Sequence, residues 1–220
     1  MAVKELLGQL HEVAECPRKQ LERYLGEGRR VIAMAPVYGP QEIVHSMGLV
    51  PMGVWGADVE INEAKKYYPA FICSVMQTIL ELGIKGEYKG VSAIIIPSLC
   101  DSLKTLGQNW KYAVADIPFI PMTYPQNRKQ DYGIKFTRAG YGRVISSLEV
   151  ATGARFSEPA LVKSNAIYNE HNRVMREFAE IASYADITAT QRSDVFKSAW
   201  FMTVEEHTAI VKELNEELKK

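Results

Sequence analysis

The sequence predicts an α/β fold: a parallel, doubly wound sheet flanked by helices, followed by an all-helical C-terminal segment. Over the first 134 residues, short continuous apolar runs alternate with segments of helical periodicity. Such runs are typical of strands buried on both faces, and their alternation with helices favours right-handed crossovers and a parallel sheet. Beyond residue 135 only helical patterns remain. We therefore expect a helical arm over residues 1–28, an α/β domain over 29–134 and a helical segment over 135–220.

The N-terminal arm and the first strand follow from local patterns. Apolar residues at near-helical spacing predict helix over residues 3–25, which Pro17 interrupts and Gly26 ends. The continuous apolar run over residues 31–35 predicts a buried strand. Pro40 suits the first turn of the short helix that we expect next, because that position needs no backbone N–H.

The remaining elements complete the predicted alternation. Strands are expected at residues 49–55, 91–96 and 118–122. Between them, helices are expected over residues 69–82 and from Asp101 to Ala115, where Asp101 and Ser102 are good N-cap residues. Later helices are expected at residues 144–151, 160–182, 193–202 and 203–218.

Composition and charge exclude several classes of protein. The 220 residues, 47% of them hydrophobic, can bury a core, and the formal net charge of +0 provides no general attraction to nucleic acid or anionic membranes. The most apolar run, residues 91–97, is far shorter than the roughly 20 residues that cross a bilayer. The first residues contain Glu5 and no apolar run, unlike a secretory signal. We expect a cytoplasmic protein without a nucleic-acid or membrane partner.

Three loops are expected to carry the functional residues. Ligands of open parallel sheets bind outside the carboxyl ends of the strands, where residues 35–42, 97–102 and 123–128 should converge on one rim. The sequence contains neither GxxxxGKS/T nor GxGxxG, the usual phosphate-binding motifs. Any ATP must therefore be handled by another protein.

The three cysteines are too few for a disulfide framework, which leaves metal ligation, redox chemistry or burial. Cys100 should lie at a strand-to-helix junction, where helix amides favour a thiolate, although cysteine also packs often as a small apolar residue. Cys73 by itself is more typical of a core cysteine. If both helices begin at the same rim, the two thiols could approach one metal or cluster. Cys16 is interpreted as structural.

Other polar residues leave open alternatives. The four histidines show no HxxxH or HExxH spacing, so a histidine-rich metal site is not expected. Glu42 could compensate a helix dipole, or it could be an acid or base facing the rim. Amides and cations near residues 108–111 and 126–129 could hold polar or phosphorylated groups of a ligand, but solvated helix ends have the same composition.

Five segments carry a resemblance to a known family. They are GPQEI at 39–43, GLVPMGVWG at 48–56, CS at 73–74, PSLCDSL at 97–103 and QN at 108–109. In this order and spacing they resemble the 2-hydroxyacyl-CoA dehydratase family, which includes 2-hydroxyglutaryl-CoA dehydratase D-components and benzoyl-CoA reductase subunits. The similarity runs along nearly the whole chain, which therefore looks like the N-terminal portion of such a subunit.

The resemblance implies a cofactor and partners. It implies an oxygen-sensitive [4Fe-4S] cluster held by three cysteines with one iron left open, and Cys73 and Cys100 match the first two ligands. The third ligand normally comes from a second α/β domain, which we expect to be absent from this chain. The implied partners are a second dehydratase subunit of the same family, an ATP-dependent iron-sulfur activator and an acyl-CoA substrate.

The implied reaction is elimination of water from a 2-hydroxyacyl-CoA through a ketyl radical, giving the enoyl-CoA in an anaerobic cell. The chain alone is expected to be inactive. Alternatives are a truncated, non-catalytic interaction scaffold without an assembled cluster, and a benzoyl-CoA reductase-like subunit. Glu42 is the one candidate for a catalytic residue. The candidate substrate-binding residues are Tyr38, Gly39, Pro40, Trp55, Ser98, Gln108, Asn109, Gln126 and Arg128.

Overall fold

The structure, a computed structural model, describes residues 2–36 and 38–220. Its strands are β1 Val31–Met34, β2 Val50–Gly53, β3 Ala93–Pro97 and β4 Phe119–Met122. Its helices are α1 Ala2–Glu15, α2 Pro17–Gly26, α3 Gln41–Ser46, α4 Ser74–Ile84, α5 Asp101–Ala113, α6 Asp131–Thr152, α7 Glu158–Ile181, α8 Ala189–Ser198 and α9 Val204–Leu218. A short 3₁₀ helix, Ala64–Lys66, precedes α4.

The four strands form one parallel sheet in the order β2-β1-β3-β4. The register aligns Ala33 of β1 with Met52 on one side and Ile94 on the other. The chain runs outward from β1 to β2 and then returns to β3 on the opposite side of β1. The loops after β1 and β3 therefore diverge, and a crevice opens between them at this switch point. The predicted fold class, a parallel sheet flanked by helices with a helical C-terminal part, is confirmed.

Contacts divide the chain into two compact units. The sheet unit comprises residues 29–156, with all four strands and α3 to α6. The helical unit comprises residues 1–28 and 157–220, with α1, α2 and α7 to α9. The contacts thus group α6 and residues up to 156 with the sheet, whereas the helical segment predicted from the sequence begins at residue 135. None of the described helices has the length and apolar character to cross a membrane.

Trp110 fixes α5 within the sheet unit. Its side chain is fully buried, and its Nε1 donates a hydrogen bond of 3.0 Å to the carbonyl of Ile117 just before β4. The indole also lies against Gly83 of α4, where an added Cβ would come within 2.9 Å of the ring. Helices α4 and α5 therefore pack closely through one aromatic side chain near their C-terminal ends.

Helix α6 begins at Asp131, about three turns before the residue predicted from the sequence. Gly133, Gly140 and Gly142 lie in these turns, and glycine disfavours helix in isolation. Two of them are needed for close packing. A Cβ on Gly133 would overlap the backbone carbonyl of Asn127, and one on Gly140 would lie 3.2 Å from the Met122 side chain. Close packing in the folded protein thus requires glycines at positions where they weaken the sequence pattern that predicts a helix.

A buried histidine lies in the helical unit. The Nε2 atom of His207 is 2.9 Å from the carbonyl oxygen of Val195 and 3.2 Å from the hydroxyl of Ser198. Its ring centroid is 5.2 Å from that of His171. Burial, and after it the neighbouring His171, lower the pKa of His207 to about 3, against the raising effect of the Val195 carbonyl. His207 is therefore neutral in the folded protein at neutral pH.

Stability is expected to fall as the pH drops from about 6.5 toward 3. The imidazole of His207 binds a proton in the unfolded chain near its ordinary pKa of 6.5 but in the folded chain only near 3, so the unfolded state takes up more protons in this window. The pKa of the Glu206 carboxyl is lowered to about 2, so its protonation changes the stability only below about pH 4.5. Urea unfolding at about pH 7 and pH 5 should show the loss, and His207→Gln should reduce it. His45→Gln is the control, and an equal pH dependence in both variants would contradict the assignment.

Candidate functional site

The loops that follow β1, β3 and β4 form the carboxyl-end rim of the sheet. At this rim the structure contains an open cleft with a volume of about 590 Å³. Its lining residues are Tyr38, Gly39, Pro40, Glu42, Leu99, Tyr124, Arg128, Ile134, Thr137, Arg138 and Tyr141. The loops after β1 and β3 both contribute, so the cleft lies at the switch point of the sheet.

Tyr38, which follows β1, has an unusual backbone conformation. Tyr38 has a φ of 63°, in the left-handed region that bulky side chains rarely adopt. The hydroxyl of Tyr124 donates a hydrogen bond of 2.5 Å to the Tyr38 carbonyl and fixes its direction. Gly39 follows, and a Cβ there would overlap the side chain of Met34. Such conformations persist only where surrounding contacts determine them, and they concentrate at functional sites.

Charged and aromatic groups surround the cleft. Burial raises the pKa of Tyr124, and the neighbouring Tyr141 and the carboxylate of Glu42 raise it further. The Tyr124 and Tyr141 rings meet edge to face, with centroids 6.5 Å apart. Neither Arg128 nor Arg138 forms an ion pair within the described part of the chain. The cleft therefore combines an apolar and aromatic lining with two guanidinium groups available to an anion.

Cys100 is the N-cap residue of α5 and is exposed. Its backbone is extended, with φ −140° and ψ 168°, and its Sγ accepts a hydrogen bond of 3.4 Å from the N–H of Leu103. Asp101 and Ser102, the N-cap residues expected from the sequence, are instead the first and second residues of the helix. The thiol thus lies at the positive end of the helix, directly after Leu99 of the cleft lining. Burial as a small apolar residue is excluded.

Cys73 occupies the equivalent position at α4. It is the N-cap residue and is exposed, so the core interpretation is wrong for this cysteine too. The predicted helix began at residue 69, whereas α4 begins at Ser74. Burial raises the pKa of Tyr68, and the nearby Cys73 side chain raises it further. Cys16, also exposed, is the N-cap of α2 in the helical unit and makes no side-chain cap hydrogen bond.

The structure does not bring every candidate to the cleft. Within the described chain, the candidates outside its lining are Trp55, Ser98, Gln108, Asn109 and Gln126. Asn109 instead donates through Nδ2 a hydrogen bond of 2.8 Å to the carbonyl of Tyr67, which ties α5 to the segment before α4. The backbone N–H of Ser98 donates to the carbonyl of Met122 at 2.8 Å and connects the ends of β3 and β4. Gln108 accepts from Lys111 at 3.3 Å at the protein surface.

Helix α6 supplies lining residues that the sequence analysis missed. They are Ile134, Thr137, Arg138 and Tyr141. Their spacing of three, one and three residues places them on one face of a helix. That spacing is visible in the sequence, but it indicates a helix face only once the helix is known to start before residue 144.

The family model described as "2-hydroxyglutaryl-CoA dehydratase, D-component" matches residues 36–220. The chain belongs to this family. The match to the D-component family begins directly after β1 and includes both thiols at the N-caps of α4 and α5.

Individual relatives within the D-component family cover most of the chain. Lactoyl-CoA dehydratase subunit beta of Anaerotignum propionicum is 44% identical over 99% of the chain, and (R)-phenyllactyl-CoA dehydratase beta subunit of Clostridium sporogenes is 42% identical over 94%. (R)-2-hydroxyglutaryl-CoA dehydratase, subunit beta, of Acidaminococcus fermentans is 35% identical over 99%. The matched region spans 58%, 56% and 59% of these relatives, respectively.

Proposed function

We propose that the chain is part of a dehydratase component that eliminates water from a 2-hydroxyacyl-CoA and releases the enoyl-CoA. One observation carries the proposal: in a member of the D-component family, the cleft at the switch point includes Leu99, and the exposed thiol of Cys100 follows immediately. A ligand in this cleft would lie beside a residue suited to hold a redox cofactor.

Cys73 and Cys100 fit two positions in the ligand set of a [4Fe-4S] cluster. Both are exposed, free cysteines at the N-terminal ends of α4 and α5, two helices that pack against each other. Thiolates are the ligands that iron-sulfur clusters require, and helix N-termini favour their negative charge. We propose the third ligand from a part of the subunit outside this chain. When bound, the cluster would supply single electrons to the thioester of the substrate.

The lining of the cleft suggests how the chain would bind an acyl-CoA. Leu99 and Ile134 offer apolar surface for the acyl group, and the guanidinium groups of Arg128 and Arg138 suit the phosphates of coenzyme A. Glu42, half-buried in the first turn of α3 and close to Tyr124, is proposed to accept the proton that leaves the β-carbon.

The proposed assembly needs two further proteins. A second subunit of the same family would complete the dehydratase, and an ATP-dependent iron-sulfur activator would deliver the electron. The relatives described as beta subunits support the first of these partners. Oxygen sensitivity of the cluster would suit the cytoplasm of an anaerobic cell.

The test is turnover by the complete subunit, assembled anaerobically with its partner subunit, the activator and ATP. Lactoyl-CoA, (R)-phenyllactyl-CoA and (R)-2-hydroxyglutaryl-CoA are the probes, and formation of an enoyl-CoA from one of them is expected. Reduction of benzoyl-CoA without dehydration would favour the reductase-like alternative. A complex that turns over neither type of substrate and contains no iron would favour the scaffold.

Arg138→Ala is expected to raise the KM for the acyl-CoA by at least roughly tenfold, because a hydrogen bond to a charged group contributes about 1.5–3 kcal/mol. The turnover number should change much less, since the phosphates lie far from the reacting carbons. Arg143→Ala is the matched control, because Arg143 is exposed on the same helix and is not part of the cleft lining. Equal KM values for the two variants would contradict the assigned role.

A further inference from the structure

A separate cluster of metal-ligating side chains lies in the helical unit, where α1 packs against α8. His11 and Glu15 are four residues apart on α1, so they lie on the same face of that helix. Asp194 faces them from α8, and its Oδ2 is 2.8 Å from Nδ1 of His11. One ligand atom from each of the three side chains lies within 4.8 Å of the other two.

The carboxylate of Asp194 is buried, and within the described residues only one of its two oxygens has a hydrogen-bond partner. Its side chain is 2% exposed, and its Oδ1 has no hydrogen-bond partner within residues 2–36 and 38–220. A buried carboxylate lowers stability unless hydrogen bonds or an opposite charge compensate it. His11 contacts only the other oxygen, and its side chain is 53% exposed. The site therefore combines a buried anionic group with an approach from solvent past His11 and Glu15.

We propose that His11, Glu15 and Asp194 bind one divalent first-row transition cation such as Zn²⁺. One imidazole and two carboxylates suit this class, whereas Mg²⁺ and Ca²⁺ prefer oxygen ligands only. Metal–ligand bonds of about 2.0–2.2 Å require donor atoms roughly 3–4 Å apart, so Glu15, which is exposed, needs only a side-chain adjustment. The cation would replace any proton on Nδ1 of His11, and water would complete its coordination.

The bound cation would join α1 to α8 through three side chains. It would compensate the buried charge of Asp194 and therefore stabilise the folded helical unit in proportion to its occupancy. The site shares no residue with the cleft or with Cys73 and Cys100. Its existence is independent of the proposed dehydration chemistry.

The experiment is a Co²⁺ titration of the chain carrying Cys16→Ser, Cys73→Ser and Cys100→Ser, which removes the three exposed thiols that could compete for the cation. The visible d–d absorption of Co²⁺ reports binding, and one ion per chain is expected. Glu15→Gln should weaken this binding by at least roughly tenfold, because even loss of an outer-shell partner typically costs that much. His11→Gln should have the same effect. Glu12→Gln is the control, because Glu12 lies on the same helix but pairs with Lys19 at 3.2 Å.

Thermal unfolding with and without Zn²⁺ gives a second readout. The unfolding temperature should rise with Zn²⁺ in the parent and in Glu12→Gln, and it should not rise in Glu15→Gln. Because Glu15 is exposed, its replacement leaves the fold intact, which circular dichroism can verify. No Co²⁺ binding by the parent, or equal binding by Glu15→Gln and Glu12→Gln, would overturn the proposal.

Discussion

Replacing Cys100 or Cys73 by serine is expected to reduce dehydratase turnover of the anaerobically assembled complex to background. A serine hydroxyl is a poor ligand for iron, so either change would remove one thiolate from the proposed cluster. Both side chains are exposed at the N-caps of their helices, and serine is itself a preferred N-cap residue. The variants should therefore fold normally while losing activity.

Cys16→Ser is the matched control for these variants. Cys16 is also exposed and also precedes a helix, but it belongs to the helical unit. Cys16→Ser should leave turnover unchanged and should not lower the unfolding temperature. Turnover comparable to the parent in either Cys73→Ser or Cys100→Ser would remove that thiol from the proposed ligand set.

Gly133→Ala is expected to lower the free energy of unfolding by about 2 kcal/mol. The new methyl group would overlap the backbone carbonyl of Asn127, which no side-chain rotation relieves. Such overpacking costs about 3 kcal/mol, and the better helix propensity of alanine returns only about 1 kcal/mol. Arg128 and Ile134, two residues of the cleft lining, directly follow Asn127 and Gly133 in the sequence. The KM for acyl-CoA should therefore rise as well.

Gly142→Ala is the matched control and is expected to have the opposite sign. Gly142 lies in the same helix, and a Cβ there would have no atom within 4 Å. This substitution should stabilise the protein by up to about 1 kcal/mol through helix propensity alone. Urea unfolding of both variants measures the difference, and equal shifts for the two glycines would contradict the packing of α6 described above.

The fold class could be predicted because it depends on local apolar patterns. The runs that became β1 and β3 are buried on both faces, so they are continuous in sequence and easy to identify. The start of α6 could not be predicted in the same way. Gly133 and Gly140 are there because other segments approach closely, and that contact leaves no local pattern. The missed Arg138 and Tyr141 follow from this one error.

The candidate site was predictable where topology determines it. The loops after β1 and β3 had to lie at the carboxyl ends of their strands, which placed Tyr38 and Cys100 at the same rim. The role of Asn109 was less predictable. The hydrogen-bond partner of its side chain is the backbone of Tyr67, 42 positions away in the sequence. The chemistry of a side chain indicates which groups it can bind, but the fold determines which of them is its partner.

The most direct test of the central claim is the iron and acid-labile sulfide content of the anaerobically reconstituted, full-length complex. We expect Cys73→Ser and Cys100→Ser each to lose the iron and sulfide of one cluster, with a matching loss of its electron paramagnetic resonance signal after reduction. Cys16→Ser should retain both. Iron and sulfide contents that are the same in all three variants and the parent would contradict the claim that Cys73 and Cys100 ligate a cluster.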